Sequence, residues 1–446
     1  MSGTLLVVAD TDSYVKWGAA LASQLPTDAW RMRLVVLATP AQPSTRQLRV
    51  ALAGSRFVPA DVDVVGLDAL GELVDGLGPE AVLLALRGPL VRVVAPLIGA
   101  SPDRPVLVSG FPGLTIPAEP KAVIYREQVD LIVLHSRREV REFRANAERL
   151  GMPVDLGLAT LPFLRTAIRR FAGAGTVGAA GGAKGADLAA SGATGFDAGR
   201  TDLVFAAQAK VPSLREDRVR LLGWLADAAR RRPGRRVVVK VRARAGEAQT
   251  HAESHDFADL LADPSVRAEL GGTLPPNLVV EDGPMADHLA RASALVTVSS
   301  TAVLEAVAEG VPSLVIDEFG VEPKLINTVF VGSGLFGGAD DLVSARVRHP
   351  APEWLDDNYF HGADADDWLE RLDGLVARRR NAPLPLARRQ YNLTGGTLRR
   401  AFERKRMLGA HDRSFEGAAA MLVALPVRWM VRRVRRLRIR LAPVRA

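Results

Sequence analysis

Not one of the 446 residues is cysteine. That absence excludes a disulfide framework, a thiolate zinc site, an iron–sulfur cluster and a cysteine nucleophile, and it points to a reducing cytosol. Residues 1–20 have no basic start followed by an apolar run, so no secretory signal is read there. Lysine is scarce, seven against 51 arginines, the bias of a GC-rich bacterial genome. The few lysines that persist are weak pointers to places that want a compact ammonium. Acid is missing from residues 421–446, which hold eight arginines. The net charge of +8 therefore resides in this tail, and the first 420 residues are formally neutral. A basic tail on a neutral body is not the charged groove of a nucleic-acid-binding protein.

What is present is ordinary for a folded chain, 48% hydrophobic and 24% charged. The length favours two domains and a cleft between them. Apolar strands alternate with amphipathic helices from Leu5 onwards, the pattern of an α/β protein with a parallel sheet covered on both faces. Strands are expected at Leu5–Ala9, Leu34–Ala38, Val62–Val65, Ala81–Leu86, Pro105–Val108 and Asp130–Leu134. From Gly173 to Gly199 nine glycines and nine alanines form a linker-like run, and then the rhythm restarts. The later strands are expected at Leu203–Ala206, Arg236–Val241, Leu278–Val280, Ala294–Val298 and Ser313–Ile316. The division is a Rossmann-like domain over 1–168, a Gly/Ala-rich linker over 169–200, a second Rossmann-like domain over 201–380, and return helices with a basic tail over 381–446. Ligands in such sheets sit outside the carboxyl ends of the strands.

The segment from Ala294 to Ile316 reads as strand, turn, helix, stop and strand, with Ser299, Ser300 and Thr301 at the helix start. Three hydroxyls beside free backbone N–H groups suit a phosphate, whereas one would suffice as a cap. Glu305 lies one helical turn further on, where a carboxylate could accept from a ribose diol or merely face solvent. Lys240, Arg242 and Arg244 alternate at a strand end, on one face, suited to a di-anionic leaving group or to a solvated edge. Gln208 and Lys210 follow the first strand of this half, a position for phosphate or sugar contact. His251 and His255 are four apart, but no third ligand is placed by the sequence, so no metal is expected.

This run, with Gly283-Pro284-Met285 upstream and Gly310-Val311-Pro312 downstream, resembles the donor domain of GT-B glycosyltransferases. The double serine is similar to that of capsule sialyl- and Kdo-transferases. The wider chain, including Ser109-Gly110-Phe111-Pro112-Gly113 and Leu134-His135-Ser136-Arg137-Arg138-Glu139, resembles an actinobacterial family assigned in name to glycosyl transfer. The resemblance implies a GT-B-like fold and a nucleotide-sugar co-substrate, with no further cofactor. It implies that Ser299, Ser300 and Thr301 hold the phosphates, with Met285 beside the donor and Glu305 near the ribose. The His-Pro pair of capsule enzymes is missing here, and the Lys240 strand end stands in its place.

In the first half, Asp10, Asp12, Tyr14, Lys16 and Trp17 follow the opening strand. A carboxylate there could act as general base on an acceptor hydroxyl, Asp12 being favoured as further from the strand, and an aromatic could face a sugar ring. The alternative is a capped turn with Trp17 in the core. Gly110 and Phe111, in a strand-end turn, are further acceptor candidates, and His135 is a candidate base or a satisfied structural histidine. Asp10 and Asp12 also fit the nucleophile and acid of a haloacid-dehalogenase-type phosphatase, but the paired acidic motif that chemistry needs is not at a strand end; Asp364, Asp366 and Asp367 follow a loop.

Over 418–441 an apolar stretch too short to span a bilayer leads into arginines interleaved with apolar residues at helical spacing, the pattern of a helix on an anionic membrane surface. The expectation is a metal-independent glycosyltransferase, peripheral on the inner face of the plasma membrane, acting on a cell-envelope glycan or lipid-linked acceptor. A non-catalytic, membrane-docked nucleotide- or glycan-binding module is the rival of another class.

Overall fold

The computed structural model describes residues 3–164, 199–241, 255–391, 393, 394, 396–424 and 426. Runs such as Leu5–Ala9 and Ala81–Ala85 are apolar at every position and buried throughout, as strands covered on both faces must be. They build two fully parallel sheets. The first comprises β1 (Gly3–Ala9), β2 (Trp30–Leu37), β3 (Asp63–Val65), β4 (Ala81–Ala85), β5 (Val106–Gly110), β6 (Leu131–Leu134) and β7 (Asp155–Leu158), in the order β3-β2-β1-β4-β5-β6-β7. The second comprises β8 (Asp202–Ala206), β9 (Val237–Lys240), β10 (Leu278–Glu281), β11 (Ala292–Thr297), β12 (Ser313–Ile316) and β13 (Phe336–Gly337), in the order β10-β9-β8-β11-β12-β13. In each sheet the chain winds outward from one central strand and then reverses, so the order switches between β1 and β4 and again between β8 and β11. Such switch points open crevices at the carboxyl ends of the strands.

The eleven strands expected from the sequence are all present. The two that were not expected, β7 and β13, are short and contain glycine, so neither has the apolar run that marks an interior strand.

The domain division differs from the expected one. Ala159 still donates to Leu134 of β6, but Leu161 and Leu164 already lie in the core of the second unit. The chain thus passes between the units near residue 160, before the Gly/Ala-rich run, and that run is flanked on both sides by second-unit residues. Most of 169–200 lies outside the described residues. The return also comes earlier than residue 381: helix Trp368–Asn381 packs Trp368, Leu372, Leu375 and Val376 on the first sheet. The two passages lie side by side. Asp367 accepts the Leu158 N–H at 2.7 Å and donates its own N–H to the Leu158 carbonyl at 3.0 Å, while Asp366 accepts the Thr160 N–H and hydroxyl. The acidic run at 364–367 is therefore used to join the passages.

Candidate active site in the interdomain cleft

Each switch point carries a polar pair that spans the reversal. In the second sheet, Gln208 follows β8 and Ser299 follows β11. The Gln208 Oε1 accepts the Ser299 N–H at 2.9 Å and its hydroxyl at 3.1 Å. Both contacts fall on the carbonyl oxygen, and the amide nitrogen has no protein partner among the described residues. The turn is pinned from below by Thr297, whose hydroxyl donates to the Ala206 carbonyl at 2.9 Å and accepts the Ser300 N–H at 3.2 Å. The Ser300 hydroxyl then accepts the Ala302 N–H at 3.2 Å and starts helix Ala302–Ala308. That helix has only seven residues, so hydroxyls and amides rather than a long dipole give the turn its polarity. Lys240 ends β9 in register with Ala206, half a strand pair from Gln208, and is buried; Lys210 is exposed. Met285 is half-buried against the second core. Arg242, Arg244 and His251 lie outside the described residues. His255 offers only its carbonyl, to Arg218.

In the first sheet the pair is Asp10, after β1, with Arg87, after β4. The Arg87 Nε donates to Asp10 Oδ2 at 2.5 Å and its backbone N–H to Oδ1 at 3.2 Å. Asp10 is fully buried, and desolvation raises its pKa against the lowering pull of Arg87. A carboxylate so enclosed is a structural counter-ion, which corrects the expectation of a nucleophile or base at this position. Asp12, two residues on, is partly exposed as the first residue of helix Asp12–Ala22.

Five further candidates of the first unit, His135, Trp17, Tyr14, Gly110 and Phe111, are buried. The Trp17 Nε1–H donates to His135 Nε2 at 2.7 Å, so that nitrogen is an acceptor, and His135 Nδ1–H donates to the Ala159 carbonyl at 2.7 Å. With both ring nitrogens engaged and the pKa lowered by desolvation, His135 is a neutral interior residue and not a base. Trp17 is the core residue of the alternative reading, not a sugar platform. Tyr14 is buried with its ring edge-on to Trp17. Gly110 is where it is because a Cβ there would stand 2.5 Å from Trp17, and Phe111 lies under the buried Arg126 guanidinium, 3.8 Å from the ring centroid. The glycine of this turn that reaches the cleft is Gly113, whose Cβ position is 3.0 Å from Thr301.

Described residues of the two units meet across the cleft. Besides Gly113 against Thr301, Lys16 faces Glu305 at 3.8 Å and Arg46 faces Asp282 at 3.5 Å. Away from the strand ends, buried Glu139 accepts the Thr115 hydroxyl at 2.6 Å and, from the second unit, the Tyr359 hydroxyl at 2.6 Å, while Arg141 forms a two-pronged bond to Asp357. Burial and the Glu139 carboxylate push the Tyr359 phenol well above its ordinary value. Arg87, Arg126 and Tyr359 escaped the sequence reading. Arg87 alone carried a signal, its place directly after an apolar strand. Among the described residues no cluster of three or more His, Asp or Glu side chains could hold a metal ion.

Residues 5–375 match the model of a family described as "Putative glycosyltransferase (DUF6716)". The chain belongs to the DUF6716 family. Solved structures similar to this DUF6716 chain include the UDP-GlcNAc 2-epimerase of Methanocaldococcus jannaschii, at 11% identity and a TM-score of 0.51, covering 83% of this chain and 99% of that one. The S. aureus MnaA–UDP co-structure gives 12% identity and a TM-score of 0.49, over 85% and 97%. Phytolacca americana UGT2 complexed with UDP-2fluoro-glucose and pterostilbene gives 11% and 0.44, over 85% and 95%. No curated relative matches the sequence. At these identities the likeness is one of fold, and the DUF6716 chain has the GT-B-like arrangement of two Rossmann-like units.

Proposed function

We propose that this glycosyltransferase-family member moves a sugar, without a metal, from a nucleotide-activated donor bound by the second unit to a hydroxyl of a cell-envelope glycan or lipid-linked acceptor. The observation that carries the reading is the Gln208–Ser299 pair, at a switch point whose turn faces first-unit residues across the cleft. The Gln208 amide, the Ser299–Thr301 turn and Lys240 would hold the diphosphate, and Glu305 the ribose, its contact with Lys16 giving way. Exposed pairs of that kind contribute about 0–1 kcal/mol, less than the contacts a ribose diol would make. Asp12, the partly exposed carboxylate that opens helix Asp12–Ala22, is assigned proton removal from the acceptor; Asp10 and His135 are enclosed in the interior. The engagement of Asp10 by Arg87 also speaks against a phosphoryl-enzyme. Docking on the inner face of the membrane through 418–441 completes the reading. Residues 427–441 lie outside the described residues, and no described helix is long and apolar enough to cross a membrane.

The test is a thermal-shift panel of CMP-, CDP-, UDP- and GDP-linked donors, with turnover then assayed on membranes. One donor class should raise the melting temperature and be consumed. Stabilisation by none would overturn the donor reading, and binding without transfer would favour the non-catalytic module.

A further inference from the structure

A cavity of about 690 Å³ lies outside the cleft, between helix Gly88–Ile98, helix Gly396–Leu408 and the helix over 415–424. Four arginines and two glutamates line it. Their exposure grades the depth: the Arg92 side chain is 3% exposed, Arg389 14% and Arg404 32%, with Arg400 in solvent. Arg92 is only half satisfied. Its Nη2 donates to Glu127 at 3.0 Å and to the Tyr391 carbonyl, while its Nε and Nη1 are buried with no hydrogen-bond partner. Unpaired donors on a buried cation are costly, and an anion is the ligand that would satisfy them. The remaining wall is apolar. Phe415, 84% exposed, stands at it, and Leu422, 78% exposed, continues the same outward face of the 415–424 helix two turns on.

We propose that this cavity binds the phosphate headgroup of a membrane lipid, the phosphate lying beside Arg92 and displacing Glu403 from Arg389, which it now holds at 3.1 Å, while Leu398 and Phe415 lie along the acyl region. A free phosphate would use the guanidinium groups but leave the exposed apolar face without a role; a lipid phosphate uses both. The inference rests on the membrane-surface part of the functional reading and on nothing assigned to donor or transfer.

The experiment compares the full chain with one in which Arg428, Arg432, Arg433, Arg435, Arg436, Arg438 and Arg440 are changed to Gln. Both are floated with phosphatidylcholine vesicles that contain or lack phosphatidylglycerol. The tail-neutralised chain should still float with the anionic vesicles, and adding Phe415→Ser and Arg400→Gln, both at exposed positions, should cut that partitioning at least tenfold at unchanged melting temperature. Short-chain phosphatidylglycerol should bind by calorimetry and inorganic phosphate should not compete at equal concentration. If the full chain floats and the tail-neutralised chain does not, the tail reading stands and the cavity proposal falls. Equal competition by inorganic phosphate makes this a free-anion site, and a dimer in sedimentation that Phe415→Ser dissolves makes it an interface between copies; either overturns the proposal.

Discussion

Asp10 and Asp12 stand two residues apart and meet opposite fates, one enclosed with Arg87 and one partly exposed at the start of its helix. The difference makes a sharp expectation. Asp12→Asn should lower turnover by about 10²-fold or more with donor affinity little changed, as loss of a general base does. Steady-state rates beside calorimetric donor binding check it, and equal losses in both would show that Asp12 acts in binding. His135 yields a pH dependence whose sign follows from its environment. Burial lowers its folded-state pKa below the ordinary imidazole value of about 6.5, so below that pH the unfolded chain takes up the proton first. Stability should therefore fall on acidification through about pH 6.5, and urea midpoints between pH 5 and 8 should show a weaker fall in His135→Gln than in the parent chain.

At the scale of the element, the turn after β11 combines a hydroxyl contact to the helix start with the donor-binding role proposed for it. Ser300→Ala removes the acceptor for the Ala302 N–H, a change of about 0.5–2 kcal/mol in stability. Gln208→Ala keeps the Ser300 contact to the helix start but takes away both the amide and the acceptor of the Ser299 N–H and hydroxyl, so donor affinity and folding stability should each drop by about 1–3 kcal/mol, read by calorimetry and thermal unfolding. Gly110→Ala should be far more damaging than either, because its Cβ would press on both Trp17 and the Val133 carbonyl; thermal unfolding of the purified variant reads this directly.

The same elements show how far a sequence can be read. Apolar runs and their spacing are local properties, so the interior strands and the Ser299–Thr301 turn were legible. The orientation of a side chain at a strand end is not local. Whether Trp17 lay over a sugar or against His135 depends on a contact 118 residues away. The domain boundary was misplaced for a related reason: a Gly/Ala-rich run marks a composition change, whereas the passage near residue 160 is marked only by which core Leu161 joins.

For the whole molecule, Glu139 is the residue through which the two units feel one another most directly, since it accepts from Thr115 in one and Tyr359 in the other. Tyr359→Phe should reduce stability by about 1–3 kcal/mol, in calorimetric unfolding, through loss of one hydrogen bond to a buried carboxylate that keeps its Thr115 donors, and a larger effect on donor affinity than on melting temperature would mean that the contact instead sets the cleft opening.

The pairing of Leu158 and Thr160 with Asp366 and Asp367 also decides how the molecule would respond to being cut. Because the chain enters the second unit and leaves it along one seam, the described second-unit residues between Leu161 and Ala365 are an insertion in a single first-unit polypeptide, held at its neck like a loop drawn through a ring. A protease site engineered into the Gly/Ala-rich run would sever the chain between Leu164 and Asp202, both of which belong to the second unit. The two fragments should then migrate together on gel filtration and separate only in denaturant, whereas a cut beside Thr160 should release the neck and lower the melting temperature.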